Sequence, residues 1–115
     1  MAFNPQQLQD ITTMMEEHLK SIRPEPEIRH QLDIGWRHDG QSVYLYEIRP
    51  QWNDETIIRH YDYAKATWVE KRKLWKIFWL RASLKWEAYE PLLTVGNLQR
   101  FLIEVEKDPL GAFKG

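Results

Sequence analysis

The sequence predicts an α+β fold: an antiparallel sheet of about five strands, a meander of hairpins, flanked by an N-terminal and a C-terminal helix. Three observations predict it. Apolar residues recur at helical spacing near the two ends of the chain, the period falls to two after Ile28, and hairpin punctuation divides the middle. At 115 residues, 43% hydrophobic and 13% aromatic, the chain suits one domain over residues 1–115 with one core. Its six Trp, five Tyr and four Phe bring so much apolar area that some are expected to stay at the surface.

The first helix opens with Asn4 as N-cap, Pro5 at the first helical position, Gln7 closing a capping box, and Phe3 with Leu8 as a hydrophobic staple. It is expected from about Pro5 to Ser21, with Leu8, Ile11, Met15, Leu19 and Ile22 on one stripe. The RPEP run at 23–26 ends it, because proline lacks the backbone donor and pushes its predecessor out of helical angles.

From Ile28, the residues His30, Leu32, Ile34 and Trp36 alternate with Arg29, Gln31, Asp33 and Arg37, and Asp39-Gly40 reads as a two-residue hairpin turn. That turn would set Trp36 against Val43, Ile34 against Leu45, Leu32 against Glu47 and His30 against Arg49. The return strand, Ser42 to Arg49, should end at Pro50, leaving RPQWNDE at 49–55 as a connection. Residues Tyr61 to Val69 suit a strand by composition, although their alternation is imperfect.

EKRK at 70–73 reads as a turn, and WKIFWLRASLKWEAY at 75–89 as two strands, Leu74 to Leu80 and Lys85 to Tyr89, joined at Ala82-Ser83. Thr94 to Asn97 should start the last helix, whose Leu98, Phe101, Leu102 and Val105 form a second stripe ended by Asp108-Pro109.

Without cysteine, disulfides and thiolate metal sites are excluded. The opening MAFNPQQLQD carries no secretory pattern, and no apolar run could span a bilayer, so a cytoplasmic protein with no membrane partner is expected. Net charge is only -1, yet it is segregated. Residues 1–27 hold five acids (Asp10, Glu16, Glu17, Glu25, Glu27) against Lys20 and Arg23, whereas 65–85 hold seven bases (Lys65, Lys71, Arg72, Lys73, Lys76, Arg81, Lys85) against Glu70.

The strand 74–80 is apolar on both faces: Trp75, Ile77 and Trp79 point one way, and Leu74, Phe78 and Leu80 the other, with Lys76. The plain reading is a central strand whose aromatics build the core. The functional reading is a surface for an anionic partner, nucleic acid in particular, made of Lys73, Trp75, Lys76, Trp79, Arg81, Lys85 and Trp86. The same residue types would serve a homodimer. No ribonucleoprotein motif, GXXG loop or overall basic charge narrows the choice.

Enzymatic signals are few. Asp33 with Glu47-Ile48-Arg49 resembles the D…ExK spacing of restriction-endonuclease-like nucleases, but the hairpin register puts the two carboxylates on opposite faces, and Arg49 replaces the lysine. The same register gathers His30, Glu47 and Arg49 at the polar end of an apolar face, a candidate ligand cluster or a structural ion pair. His18, His38 and His60 match no metal spacing, and no cofactor loop or nucleophile motif is present. A binding module is therefore favoured over an enzyme.

The segments RHQLDIGWRHDGQSVYLYEIRPQW, AKATWV, WKIFWLRASLKWEAYEP and LQRFLIEVEKDPLGAFKG together resemble a small bacterial family catalogued as domain of unknown function 3024. The resemblance runs from about Ile28 to Gly115. At the tail such proteins often end in a Cys-Phe-Phe-Gly-like sequence, whereas AFKG stands here, so no tail cysteine can act. The resemblance implies a bacterial, cytoplasmic protein and carries no assigned activity or site residues.

Overall fold

The computed structural model describes residues 2–114, so Met1 and Gly115, the ends of the expected domain, lie outside the described residues. Helix α1 spans Pro5–Ile22, followed by strands β1 (Asp33–Asp39), β2 (Ser42–Gln51), β3 (Asp54–Val69), β4 (Leu74–Leu80) and β5 (Trp86–Ala88). A 3₁₀ turn at Glu90–Leu92, strand β6 (Thr94–Val95) and helix α2 (Leu98–Lys107) complete the order. The sheet is antiparallel in the order β1-β2-β3-β4-β5, with β6 also on β4. This is the expected α+β architecture, with one strand more.

The capping box forms as read, Asn4 and Gln7 exchanging side-chain bonds with each other's backbone N–H. The first strand starts later than its alternation predicts. After Pro26 the chain coils, the N–H of Gln31 and of Leu32 each donating to the Ile28 carbonyl (2.8 and 3.0 Å), so residues 28–32 never join the ladder. The hairpin register also differs. Its loop is Gly40-Gln41, with the positive φ (+59°) on Gly40, so Trp36 faces Leu45 and Ile34 faces Glu47. A one-residue shift of the turn moves each pairing by two residues and leaves every face assignment intact.

Pro50 does not end β2; the strand runs on to Gln51, beyond the last β1 partner at Ile48, and the register with β3 slips there. Strand β3 is far longer than expected, and its imperfect alternation has a cause. Leu45 pairs with Ala64 and Tyr46 with Asp62, leaving Tyr63 as a bulged residue. Past the last β1 pair at Ile48, β2 and β3 continue as a two-stranded arm with exposed Ile58. At the other end, residues 94–97 supply β6 and the Asn97 N-cap instead of a helical turn.

Both helices lie on the same face of the sheet. Ile11, Met15 and Leu19 of α1 and Leu98, Phe101, Leu102 and Val105 of α2 close over Val43, Leu45, Ala64, Ala66, Trp75 and Ile77. Polar tethers fix their pose. The indole N–H of Trp36 donates to Glu16 (3.0 Å), and Arg23, the C-cap of α1, donates twice to Asp33 (2.9 and 2.5 Å), holding that carboxyl below its ordinary pKa. The buried Tyr89 donates to Glu104 (2.9 Å), and its phenol is pushed up to about 12, chiefly by burial. The Asp108 carboxylate accepts from the N–H groups of Phe113 and Lys114, seating Phe113 against Tyr89.

His18 sits between the helices with its Nε2 buried and without a hydrogen bond, 3.7 Å from Glu106. Burial lowers its pKa below 6.5, because desolvation penalises the imidazolium more than Glu106 favours it. The contribution of a neutral His18 is whole above that unfolded value and is lost as the pH falls through the lower folded one. Thermal melts at pH 7.5 and 5.5 should therefore show a smaller acid-side drop in Tm for His18→Gln than for the wild type. Phe101→Ala, at a fully buried position, should cost about 3–5 kcal/mol in denaturant unfolding.

Candidate functional site

One face of the sheet carries the helices; the other carries none of them among the described residues. On that open face the outward positions of the central strands align: Tyr44 of β2 lies opposite Lys65 of β3, which lies opposite Phe78 of β4, which lies opposite Ala88 of β5. Trp86 reaches the same row. Its ring is 5.8 Å from Tyr44.

The Lys65 ammonium stands within this row, 4.6 Å from the Phe78 ring centroid, 5.1 Å from Trp86 and 5.9 Å from Tyr44. Arg37 of β1 lies over Tyr44 at 3.8 Å and donates to Asp62 (2.8 Å). Burial lowers the pKa of Lys65, because water that would solvate its charge has been replaced by rings. The negative π faces offset part of that loss. Lys76, next outward on β4 from Phe78, is exposed.

The residues singled out from the sequence divide sharply. Trp75 is 6% exposed and packs between Phe3 and Trp68, so it belongs to the core. Trp79 shares its inward face and packs against the core. Neither can act as a surface platform, because the helices cover the inner side of β4. Trp86 alone of the three lies on the open side. Lys73 is engaged by Glu70, Arg81 lies 3.5 Å from Glu87, and Lys85 is exposed beside the β4–β5 turn.

The cluster of His30, Glu47 and Arg49 is not assembled. Glu47 and Arg49 are neighbours (3.4 Å), with Arg49 over the Tyr61 ring at 4.6 Å. His30 lies in the coil before β1, exposed, and no contact joins it to either. The register predicted for His30 fails because the strand it needs is not formed. Asp33 pairs with Ile48 and Ile34 with Glu47, so Asp33 and Glu47 occupy opposite faces, and Asp33 is bound by Arg23. Such carboxylates cannot share an ion.

The residues missed from the sequence are Arg37, Tyr44 and Lys65. Their signal was present in the alternation: each sits one position from a residue that faces the core, Tyr44 between Val43 and Leu45, and Lys65 between Ala64 and Ala66.

The family model "Domain of unknown function (DUF3024)" matches residues 3–115. The chain belongs to that family. The DUF3024 match takes in α1 as well, extending the resemblance seen from Ile28 onward. No curated protein and no solved structure matches the chain. The DUF3024 description names no activity. No described helix is long and apolar enough to cross a membrane.

Beside the row, Tyr46 lies flat between Gly35 and His60, its ring stacked on the imidazole at 4.5 Å. A Cβ at Gly35 would stand 2.6 Å from that ring. Gly35→Ala should therefore displace Tyr46 and cost about 1–3 kcal/mol in chemical denaturation, with the Tyr46 ring resonances shifting in NMR spectra.

Proposed function

We propose that the protein is a non-enzymatic binding module that receives single-stranded nucleic acid on its open sheet face. The observation that supports the reading most is the row of Tyr44, Phe78 and Trp86 around the Lys65 ammonium, on a face that neither helix covers. Rings and cations in one row suit a ligand that alternates flat bases with phosphates. Half-buried Lys65 is poorly hydrated, so an approaching phosphate restores to it the interaction that burial removed. Lys76 and Arg72 flank a shallow hollow beside Phe78 and extend the positive side. The acids of residues 1–27 belong mostly to α1, on the opposite side of the sheet.

Arg37 is neutralised by Asp62, so Lys65 and Lys76 are the cations expected to meet the phosphates. Stacking falls to Trp86, because the Tyr44 ring already carries Arg37 on one side.

Fluorescence anisotropy with labelled single- and double-stranded oligonucleotides at low and moderate salt tests the reading. Single strands should bind more tightly than duplex, and affinity should fall as salt rises. Trp86→Ala should weaken binding by about 1–3 kcal/mol, and Lys65→Met should flatten the salt dependence. Absence of binding at low salt would sink the proposal.

A further inference from the structure

The hollow beside Phe78 originates in a fork of the sheet. On one side β4 has two successive partners, β5 along Phe78 to Leu80 and β6 along Trp75 and Lys76. Between them the chain leaves the ladder through the 3₁₀ turn at Glu90–Leu92. Both branches are pinned at Ile77: its carbonyl accepts from the Tyr89 N–H (3.0 Å), and its N–H donates to the Leu93 carbonyl (3.0 Å). The walls of the hollow are thus held by backbone bonds, and a ligand need not order them.

The hollow measures about 290 Å³, near the lower end of the range for small-molecule sites, roughly 300 Å³. Phe78, Ala88 and Leu93 give it an apolar lining, Thr94 adds a hydroxyl, and Arg72 and Lys76 are its only charged lining residues. Neither cation forms an ion pair among the described residues. The neighbouring acids do not compensate them: Glu70 is engaged by Lys73, Glu87 by Arg81, and Glu90 is not part of the lining. A small apolar space with two uncompensated cations suits a ligand that has a compact apolar part and an anionic group attached to it. Ala88 lies two residues from Trp86 on the same side of β5, about 7 Å along the strand. The hollow therefore continues the aromatic row at the reach of one unstacked nucleotide.

We infer that the hollow is a nucleotide pocket, which takes one splayed base against Phe78 and Leu93 and holds the attached phosphate with Arg72 and Lys76. The inference rests on the reading of the open face as a single-strand surface and gives that surface a second base position after Trp86. The pocket requires an unpaired base, because a base held in a duplex cannot leave its stack to enter the fork. Ala88 keeps the space open, since a larger side chain at that exposed position would fill it.

Titration of the full chain with adenosine monophosphate, followed by amide chemical shifts at low salt, tests the pocket apart from the rest of the row. The amides of Phe78, Ala88, Leu93 and Thr94 should shift, and saturation should come at a lower concentration than with adenosine or inorganic phosphate alone. Ala88→Phe should weaken binding of the mononucleotide about tenfold, the loss expected when one base contact is removed, and should weaken binding of a labelled single strand as well. Lys107→Met, a cation on the helical side, should change neither. If Ala88→Phe loses its native circular dichroism, the exposed pair Arg72→Met and Lys76→Met takes its place, with the same losses expected. Single strands that bind while the mononucleotide leaves those amides unmoved, or that bind Ala88→Phe as tightly as the wild type, would overturn the pocket and leave the row standing. A mononucleotide that binds in the fork while no oligonucleotide binds at all would uphold the pocket and remove the single-strand reading.

Discussion

Burial of a single sheet face is the interaction on which the rest of the molecule depends. The two helices, roughly 27 and 15 Å long at about 1.5 Å per residue, face a body 45 Å in its longest dimension and lie on the same side of it. Each Leu, Ile or Phe they remove from water contributes about 1.5–3 kcal/mol. No third helix is present among the described residues to do the same for the other side. The second face must therefore be built from side chains that can cover a sheet and still meet water. Lys65, Arg37 and the aromatic rings do this together: cations lying over rings shield apolar area while keeping their charge at the surface. The aromatic and cationic character of that face is a requirement of the fold before it is an opportunity for a ligand.

The apolar seal fixes which face is covered, and polar tethers fix how the helices lie on it. Trp36 to Glu16 and Arg23 to Asp33 tie the length and the end of α1 to β1, while Tyr89 to Glu104 ties α2 to the segment after β5. The Asp108 carboxylate then folds the last described residues back under α2. Pairs of this kind are individually modest when partly exposed. Their value lies in orientation, since an apolar contact alone leaves a helix free to slide.

Much of this was legible from residues taken a few at a time. The capping box of Asn4 and Gln7, the two amphipathic stripes and the β4 run WKIFWL depend on neighbours within a turn or a strand, and they form as the local rules require. The failures occur where a distant partner decides. Residues 28–32 alternate like a strand, but Pro26 and the tie from Arg23 to Asp33 favour coil until Asp33. The choice of loop residues around Gly40 shifted the hairpin by two, which parity hid. Trp75 and Trp79 were indistinguishable from Trp86 by composition, and only the side on which the helices settled separated them. Lys65 joined Tyr44 and Trp86 from three different strands, a grouping that no short window of sequence contains.

Tyr63 shows how little chain such decisions can involve. Its place in β3 as an extra residue lets Ala64 and Ala66 face the core while Asp62 turns outward to reach Arg37, although strict alternation would allow only two of these three without a neighbour to absorb the difference. A bulge also bends its strand and tightens the twist. Tyr63 itself is buried, its ring packed into the core at the one position between Leu45 and Tyr46 where the ladder has no partner for it.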